Sequence, residues 1–174
     1  GTNPASGGFV DRSSDILIYL GSYSAVRAYS GHATKIYCMG REHVLDGGAG
    51  YFILDPQDTT PVDNDGTVVG RFKRDFSGTV QSEWFGLRVG TVGDSTQKLK
   101  NFFGAISNST ASMAGDSFMA TSLIDLDMSN CALYGVRGKT RIYGDFDYRI
   151  AEIGEVNDLS IHNIWFDNLY TNPS

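Results

Sequence analysis

The chain has 174 residues, enough for one medium domain or two small ones. Its formal net charge of −6 makes it a poor polyanion binder, because such binding needs clustered Lys and Arg, so nucleic acid is not an expected partner. With 21 Gly, 9 Tyr and 10 Phe, the composition favours a turn-rich, mostly β chain over a helical bundle.

No apolar run reaches the roughly 18 residues that a membrane-spanning helix needs, so a membrane is not an expected partner either. Cys38 and Cys131 lie in apolar, β-like segments without Cys-x-x-Cys or Cys/His ligand spacing. We therefore expect no structural zinc and no other cofactor. A disulfide stays open, but two buried free thiols are favoured.

The first predicted unit, residues 9–78, is a small α+β module that follows a linker or cloning remnant at residues 1–8. Residues 58–66 are predicted to be loop. Runs of apolar or alternating residues predict strands at 15–20, 35–39, 51–54, 67–69 and 71–74. Arg74 belongs to a basic run whose alternation predicts a solvated strand face.

Two short helices are predicted from capping residues and apolar spacing. The first covers residues 22–31, which Ser22 can cap and Gly31 can end, and its stripe holds Tyr23, Val26 and Ser30. The second lies in the unit 79–113, where residues 79–86 predict an extended strand. It begins after Asp94-Ser95-Thr96, and its apolar residues recur at i, i+3, i+4 and i+7: Leu99, Phe102, Phe103 and Ile106.

The third unit, residues 114–174, contains short β-like segments at 122–126, 132–136, 140–144, 148–151 and 159–166. In the last one, alternation shifts at Asn163, which places four side chains on one side: Leu159, Ile161, Ile164 and Phe166. Asn168 is expected at the following turn. A β-sandwich stays open, but this rung and the preceding helix favour a right-handed parallel β-helix under an N-terminal cap. We expect the coils to continue in a longer chain.

Paired carboxylates are the candidate catalytic groups, because glycosidases need two, roughly 5 to 9 Å apart. Asp125 with Asp127, and Asp145 with Asp147, are two residues apart and therefore share a strand face. Such pairs are more often outward-facing or turn-forming residues. We therefore expect no catalytic residue within this chain.

Asp63-Asn64-Asp65-Gly66 has the composition of a calcium loop. An EF-hand alignment on its glycine would place Pro61 and Phe72 at ligand positions, so the pattern predicts a tight turn and no metal site. The three histidines are scattered and no Gly-x-Ser-x-Gly elbow occurs. A serine esterase triad stays open only because such residues can assemble from distant positions.

Trp165 alternates outward from its neighbours Ile164 and Phe166, so its ring is predicted to be exposed. It could stack on a carbohydrate or pack against a neighbouring subunit. The subunit contact is favoured, because large exposed apolar surface commonly marks protein contact. Trp84 is expected to pin the junction between the first module and the capping helix.

Three segments occur in a fixed order along the chain. They are residues 22–31 with Lys35-Ile36-Tyr37, residues 58–74, and Trp84-Phe85-Gly86 with Gly93-Asp94-Ser95-Thr96. The first two resemble the module that precedes the β-helix in bacteriophage tailspikes of the pectate-lyase-like type. The third is similar to the junction where the β-helix of that family starts.

The resemblance implies a homotrimeric, rod-like protein of the virion, located in the phage tail. Its N-terminal part would attach to a phage tail or baseplate protein, or to another tailspike. Its β-helix would bind, and often cleave, bacterial capsule or O-antigen polysaccharide. Family active sites usually lie on middle rungs or between subunits. The full-length parent is therefore expected to be a depolymerase and this chain its non-enzymatic connecting part.

Two other functions stay open. The chain could itself be a carbohydrate-active enzyme, a glycosidase, lyase or esterase, using acidic residues of its β-rich C-terminal part. A secreted, non-viral adhesin domain would instead predict a monomer with a Cys38–Cys131 disulfide.

Overall fold

A computed structural model describes residues 17–54, 57–60, 62–144, 151–152 and 157–167. The first part is a five-stranded sheet of β1 (Leu17–Leu20), β2 (Lys35–Cys38), β3 (Gly50–Ile53), β4 (Val68–Val69) and β5 (Phe72–Asp75). The strand order is β1-β2-β3-β5-β4, in which β1 and β2 are parallel and the other pairs antiparallel. Each strand predicted in this unit is confirmed to within a few residues.

Helix α1 (Tyr23–Ala28) packs on one face of this sheet. As predicted, Ser22 caps it, and its hydroxyl oxygen accepts a hydrogen bond from the Ala25 N–H at 3.3 Å. The predicted extension to residue 31 is wrong. Tyr29 has an extended backbone and its ring packs on Phe72, which ends the helix and leaves Ser30 exposed.

The segment after the sheet contains only a short strand, β6 (Val80–Gln81). The predicted strand over 79–86 is wrong beyond this point, because Ser82–Phe85 form a 3-10 helix. The Ser82 hydroxyl donates to the Leu87 carbonyl at 2.8 Å and accepts from the Ala114 N–H at 2.9 Å. These bonds fold the segment back, and Gly86, with a φ of +80°, ends the turn.

The second helix, α2 (Thr96–Ala105), confirms the helix predicted in this region. The Asp94 carboxylate, rather than Ser95, accepts the Thr96 N–H at 2.9 Å at its start. All four predicted apolar positions are buried: Leu99, Phe102, Phe103 and Ile106. They pack into the core of the strands that follow, so α2 closes the first end of that core.

The remaining strands form three parallel sheets that recur coil by coil, as a parallel β-helix requires. The first sheet joins β6, β7 (Thr110–Ser112), β10 (Cys131–Tyr134) and β13 (Leu159–His162). The second joins β8 (Ser117–Ala120), β11 (Thr140–Gly144) and β14 (Ile164–Asp167). The third joins β9 (Ile124–Asp125) and β12 (Ala151–Glu152). The predicted fold class is confirmed, and the described residues of this part do not form the sandwich alternative.

The last rung has the predicted geometry. Its four apolar side chains, Leu159, Ile161, Ile164 and Phe166, all pack against the β-helix core. The alternation shifts at Asn163, whose φ of +58° lies in the left-handed region. The turn predicted at Asn168 lies outside the described residues.

Two hydrophobic cores result, one under α1 and one inside the coils. Cys38 belongs to the first and Cys131 to the second, and both are buried free thiols, as predicted. Burial raises the pKa of both thiols. The unpaired state contradicts the disulfide required by the adhesin alternative. The unit boundaries at residues 78 and 113 remain predictions.

A left-handed residue precedes each strand of the first coil sheet. Asn108, Asn130 and Asp158 have φ values of 59°, 51° and 50° and stand just before β7, β10 and β13. The Asn130 amide donates to the Asn108 side-chain oxygen at 3.0 Å, so the first two corners stack through their side chains. Asn and Asp tolerate this backbone better than other non-glycine residues. The corner therefore keeps its shape from coil to coil.

Candidate functional site

A buried arginine lies where the two cores meet. Arg74, on β5, is 7% exposed, which shows that the predicted solvated position is wrong. Its guanidinium donates to the carbonyls of Gly48 at 2.8 Å, Ala49 at 2.8 Å and Gly66 at 3.2 Å, and to the Tyr23 hydroxyl. Burial lowers the pKa of Arg74 and raises that of Tyr23. These bonds tie α1 and two loops to one strand.

The aromatic surroundings of Arg74 extend this contact to the 3-10 helix. Its guanidinium carbon lies 4.4 Å from the ring centre of Trp84 and 4.6 Å from that of Phe52. Trp84 also packs edge-on against Phe76, with ring centres 5.0 Å apart, and contacts the β-helix core. The structure thus gives Trp84 contacts on both sides of the junction, as expected.

A second contact between the cores is possible because residue 66 is a glycine, which has no side chain. Phe85 belongs to the β-helix core, yet its ring lies where a Cβ on Gly66 of the sheet module would stand, only 2.2 Å away. Any larger residue at position 66 would separate the two surfaces. Arg74 and Phe85 therefore fix how the module meets the first coil.

Asp46 organises the loop after β2. It accepts four backbone N–H groups at 2.7 to 3.0 Å, from Arg41, Glu42, His43 and Gly48. Burial raises the pKa of Asp46, but these four bonds outweigh burial and hold the pKa at about 2. Its side chain is only 4% exposed, and the Arg88 guanidinium reaches its backbone carbonyl at 3.5 Å. The loop is thereby fastened to the junction.

The loop rich in Asp and Asn forms the predicted tight turn, with a φ of +62° at Asp65. Its carboxylates bind arginines. Arg27 on α1 lies 2.7 Å from Asp63 and 2.6 Å from Asp65, and Arg41 also pairs with Asp65. Burial raises the pKa of Asp63, but the bond from Arg27 and backbone N–H groups lower it overall. This network fastens the turn to the helix.

The structure brings the first pair of candidate acids together. Asp125 and Asp127 are both exposed and line an open groove beside α2. The groove also contains Lys100, Phe103, Gly104 and Ser107. The second pair, Asp145 and Asp147, lies outside the described residues.

Trp165 is 65% exposed on β14, on the outer face of the second coil sheet. In the register it lies opposite Arg141, which forms an ion pair with Asp167. On the neighbouring sheet, His162 is exposed, and its ring stacks on Tyr134 with centres 4.9 Å apart and planes 9° apart. Trp165 and the Tyr134–His162 pair, on two neighbouring sheets, offer aromatic surface but do not form a catalytic arrangement among themselves.

Within the described ranges, no three His, Cys, Asp or Glu side chains lie close enough to hold a metal ion. None of the helices in the same ranges is long and apolar enough to cross a membrane.

Comparison with known proteins adds two findings to this geometry. Residues 19–77, which contain nearly all of the five-stranded sheet, match the family described as phage tail protein small four-stranded β-sheet domain. The tailspike of Acinetobacter phage vB_ApiP_P1 superposes with a TM-score of 0.65 at 16% identity, covering 85% of this chain and 28% of that one. The fold is that of phage tailspikes.

Two further tailspikes agree. The enzymatically active domain of tailspike protein 2 from bacteriophage CBA120 gives a TM-score of 0.64 at 18% identity, covering 85% of this chain and 22% of that one. The tailspike of Acinetobacter baumannii phage AM24 gives 0.53 at 19% identity, covering 83% and 33%. The chain thus spans a third or less of the tailspikes it matches. The sequence has no match among curated proteins.

The predicted resemblance to tailspikes is confirmed, but sequence reasoning missed the residues that build the junction. A signal for Arg74 was present, because Phe72 and Arg74 are two residues apart and therefore share a strand face. Since Phe72 is buried, Arg74 must point into the same core. Asp46 and Arg41 had no comparable signal, because their partners come from loop backbone and from distant acids.

The first prediction concerns Arg74→Lys. Lysine can donate at most three hydrogen bonds and lacks the flat guanidinium that packs on Trp84, so we expect the free energy of unfolding to fall by about 2 to 4 kcal/mol. Urea unfolding followed by tryptophan fluorescence measures this. Arg71→Lys, at the exposed turn residue just before the same strand, should stay within about 0.5 kcal/mol. Equal stability of the two variants would contradict the role of Arg74.

The second prediction concerns pH. Because the folded-state pKa of Asp46 lies below its ordinary value, its stabilisation is present above about pH 4 and is lost as the pH falls towards 2. A shift from 3.8 to about 2 corresponds to about 2 kcal/mol. Asp46→Asn should cost this amount at pH 7 and almost nothing at pH 2, measured by urea unfolding at both values. The exposed Asp127→Asn is the control, and a loss that does not depend on pH would refute the assignment.

Proposed function

We propose that this chain is the N-terminal connecting and anchoring part of a phage tailspike that attaches the virion to bacterial surface polysaccharide. The sheet module at its front would dock to a phage tail or baseplate protein, or to another tailspike. The coils behind it would carry the glycan-binding part of the parent protein. The virion tail is the proposed location.

One observation carries the proposal. A sheet that matches a phage tail domain family is joined to the first coils of a β-helix through Arg74, Trp84 and Phe85. A flexible tether would not need a buried cation and a glycine-to-phenylalanine contact at the joint. Such a joint suits a part that holds a rod at a fixed angle to its support.

We also propose that the chain forms a homotrimer. Large apolar side chains face water in the single chain, with exposures of 90% at Leu45, 89% at Val92 and 65% at Trp165. Leu45 is held outward with a φ of +67°, a costly backbone for a bulky residue. Contact with neighbouring subunits would remove these side chains from water, and we assign Trp165 to such a contact rather than to carbohydrate.

For the full-length parent we propose polysaccharide depolymerase activity. The support is the match to a CBA120 tailspike domain whose description calls it enzymatically active. The chain covers 22% of that domain, so most of the matched protein lies beyond it. The active groups are therefore assigned to the parent, and this chain itself is proposed to be non-enzymatic.

The alternative is that the chain is itself a carbohydrate-active enzyme. The observation that favours it is the groove in which Asp125 and Asp127 lie beside Lys100, since two carboxylates can serve as acid and base in glycoside cleavage. The second pair, Asp145 and Asp147, belongs to the same hypothesis.

Immunogold labelling tests the attachment role. Antibodies raised against the chain should label the tail of intact virions, at the end that meets the bacterium. Pre-absorbing the antibodies with purified chain is the control and should remove the label. Gold confined to the capsid, or no label on virions that bind host cells, would refute the proposal.

Turnover separates the two functions. The chain, incubated with capsule and O-antigen polysaccharide, should release neither reducing ends nor acetate, whereas the full-length parent should release one of them. Release by the chain that disappears in Asp125→Ala or Asp127→Ala, but persists in Asp116→Ala, would establish the alternative.

A further inference from the structure

The five-stranded sheet has one covered face and one exposed face. Helix α1 and the first core cover the face that carries Ile36 and Phe52. Antiparallel strands commonly present polar side chains on the face that meets water. Here, instead, three adjacent strands carry a tyrosine on that face: Tyr19, Tyr37 and Tyr51.

These three side chains, the tyrosine row, stand in register. Tyr19 lies opposite Tyr37, and Tyr37 lies opposite Tyr51. The ring centres are 5.7 Å and 4.9 Å apart, with the planes inclined by 57° and 64°. Because each ring leans on the next, their rotamers are already restricted, and a partner would cost little further side-chain entropy.

Two ion pairs border the tyrosine row on the same face. The Lys35 Nζ atom lies 3.4 Å from Asp75, and Lys73 pairs with Asp58. These four charges cancel, although the whole chain carries a formal net charge of −6. An aromatic centre inside a polar border is the usual anatomy of a protein–protein contact.

We propose that the tyrosine row is a contact surface for a second copy of this chain. In a trimer the same surface of every copy meets its equivalents only about the three-fold axis, which is where we place the tyrosine row. A border of one charge sign would be repelled there, whereas a border with equal Lys and Asp lets each cation approach an anion of the neighbour. A partner of opposite net charge would instead be selected by a one-sign border.

The exposed area also favours a second copy. Tyr19 is 64% and Tyr51 is 42% exposed, which leaves roughly 200 Å² of aromatic residue surface in water. A stable complex buries about 800 Å² per partner. The occupant must therefore touch other parts of the chain too, as a second copy aligned along its length would. A carbohydrate fits less well, because the inclined rings offer no shared flat platform.

The inference rests on the homotrimer proposed above, and photo-crosslinking tests it on the whole chain. Tyr19 replaced by p-benzoylphenylalanine should, under ultraviolet light, give an adduct between two copies, visible as a doubled mass on a denaturing gel. The same replacement at Ser24, exposed on the opposite side of the module, should give at least tenfold less. Sedimentation of the unirradiated protein reports its oligomeric state.

The outcomes separate the two proposals. A trimer without a Tyr19 adduct between copies would overturn the contact surface and leave the trimer standing. A monomer at all concentrations would overturn both. An adduct within one chain, or one formed only with another virion protein, would assign the row to a different occupant and also overturn the inference.

A second measurement uses substitutions. Tyr19→Ser and Tyr51→Ser, both at exposed positions, should each weaken association of the chain at least tenfold. The exposed Tyr134→Ser, on the β-helix, is the comparison outside the row. Unchanged association in both row variants would contradict the proposal.

Discussion

The described structure depends on a cation that is removed from water without a carboxylate partner. Arg74 is held by three carbonyls, a phenol and the faces of aromatic rings. These groups come from a helix, two loops, a strand and the 3-10 helix, so the buried charge is satisfied only when all of them are in place. One side chain thereby makes the module and the start of the coils a single mechanical unit.

Elements with a local repeat could be predicted from sequence. The apolar spacing of α2 and the alternation of the last rung can each be seen within one short stretch of sequence. The side chains that these patterns predict to face the core do pack in it or against it. The 3-10 helix could not be predicted in this way. It depends on Ser82, whose hydroxyl bonds a backbone group 32 residues away.

The same distinction between local repeats and distant contacts applies to the candidate sites. The outward direction of Trp165 and the exposure of Asp125 follow from alternation alone. The pairing of Arg27 with Asp63 does not, because 36 residues separate them. Predicting the tyrosine row would also require the order of the strands in the sheet. Strands can be read from the sequence one by one, but their order in the sheet, which brings three tyrosines side by side, depends on tertiary packing.

The stacked left-handed corners at Asn108 and Asn130 have a consequence for variation between related proteins. They fix how successive coils align at one edge, so inserted residues must be accommodated at the other bends. The bend between β8 and β9, residues 121–123, is one such place. Insertions there would change the outer contour while the stacked layers keep their alignment. Such a scaffold can acquire a new recognition surface without redesigning its interior.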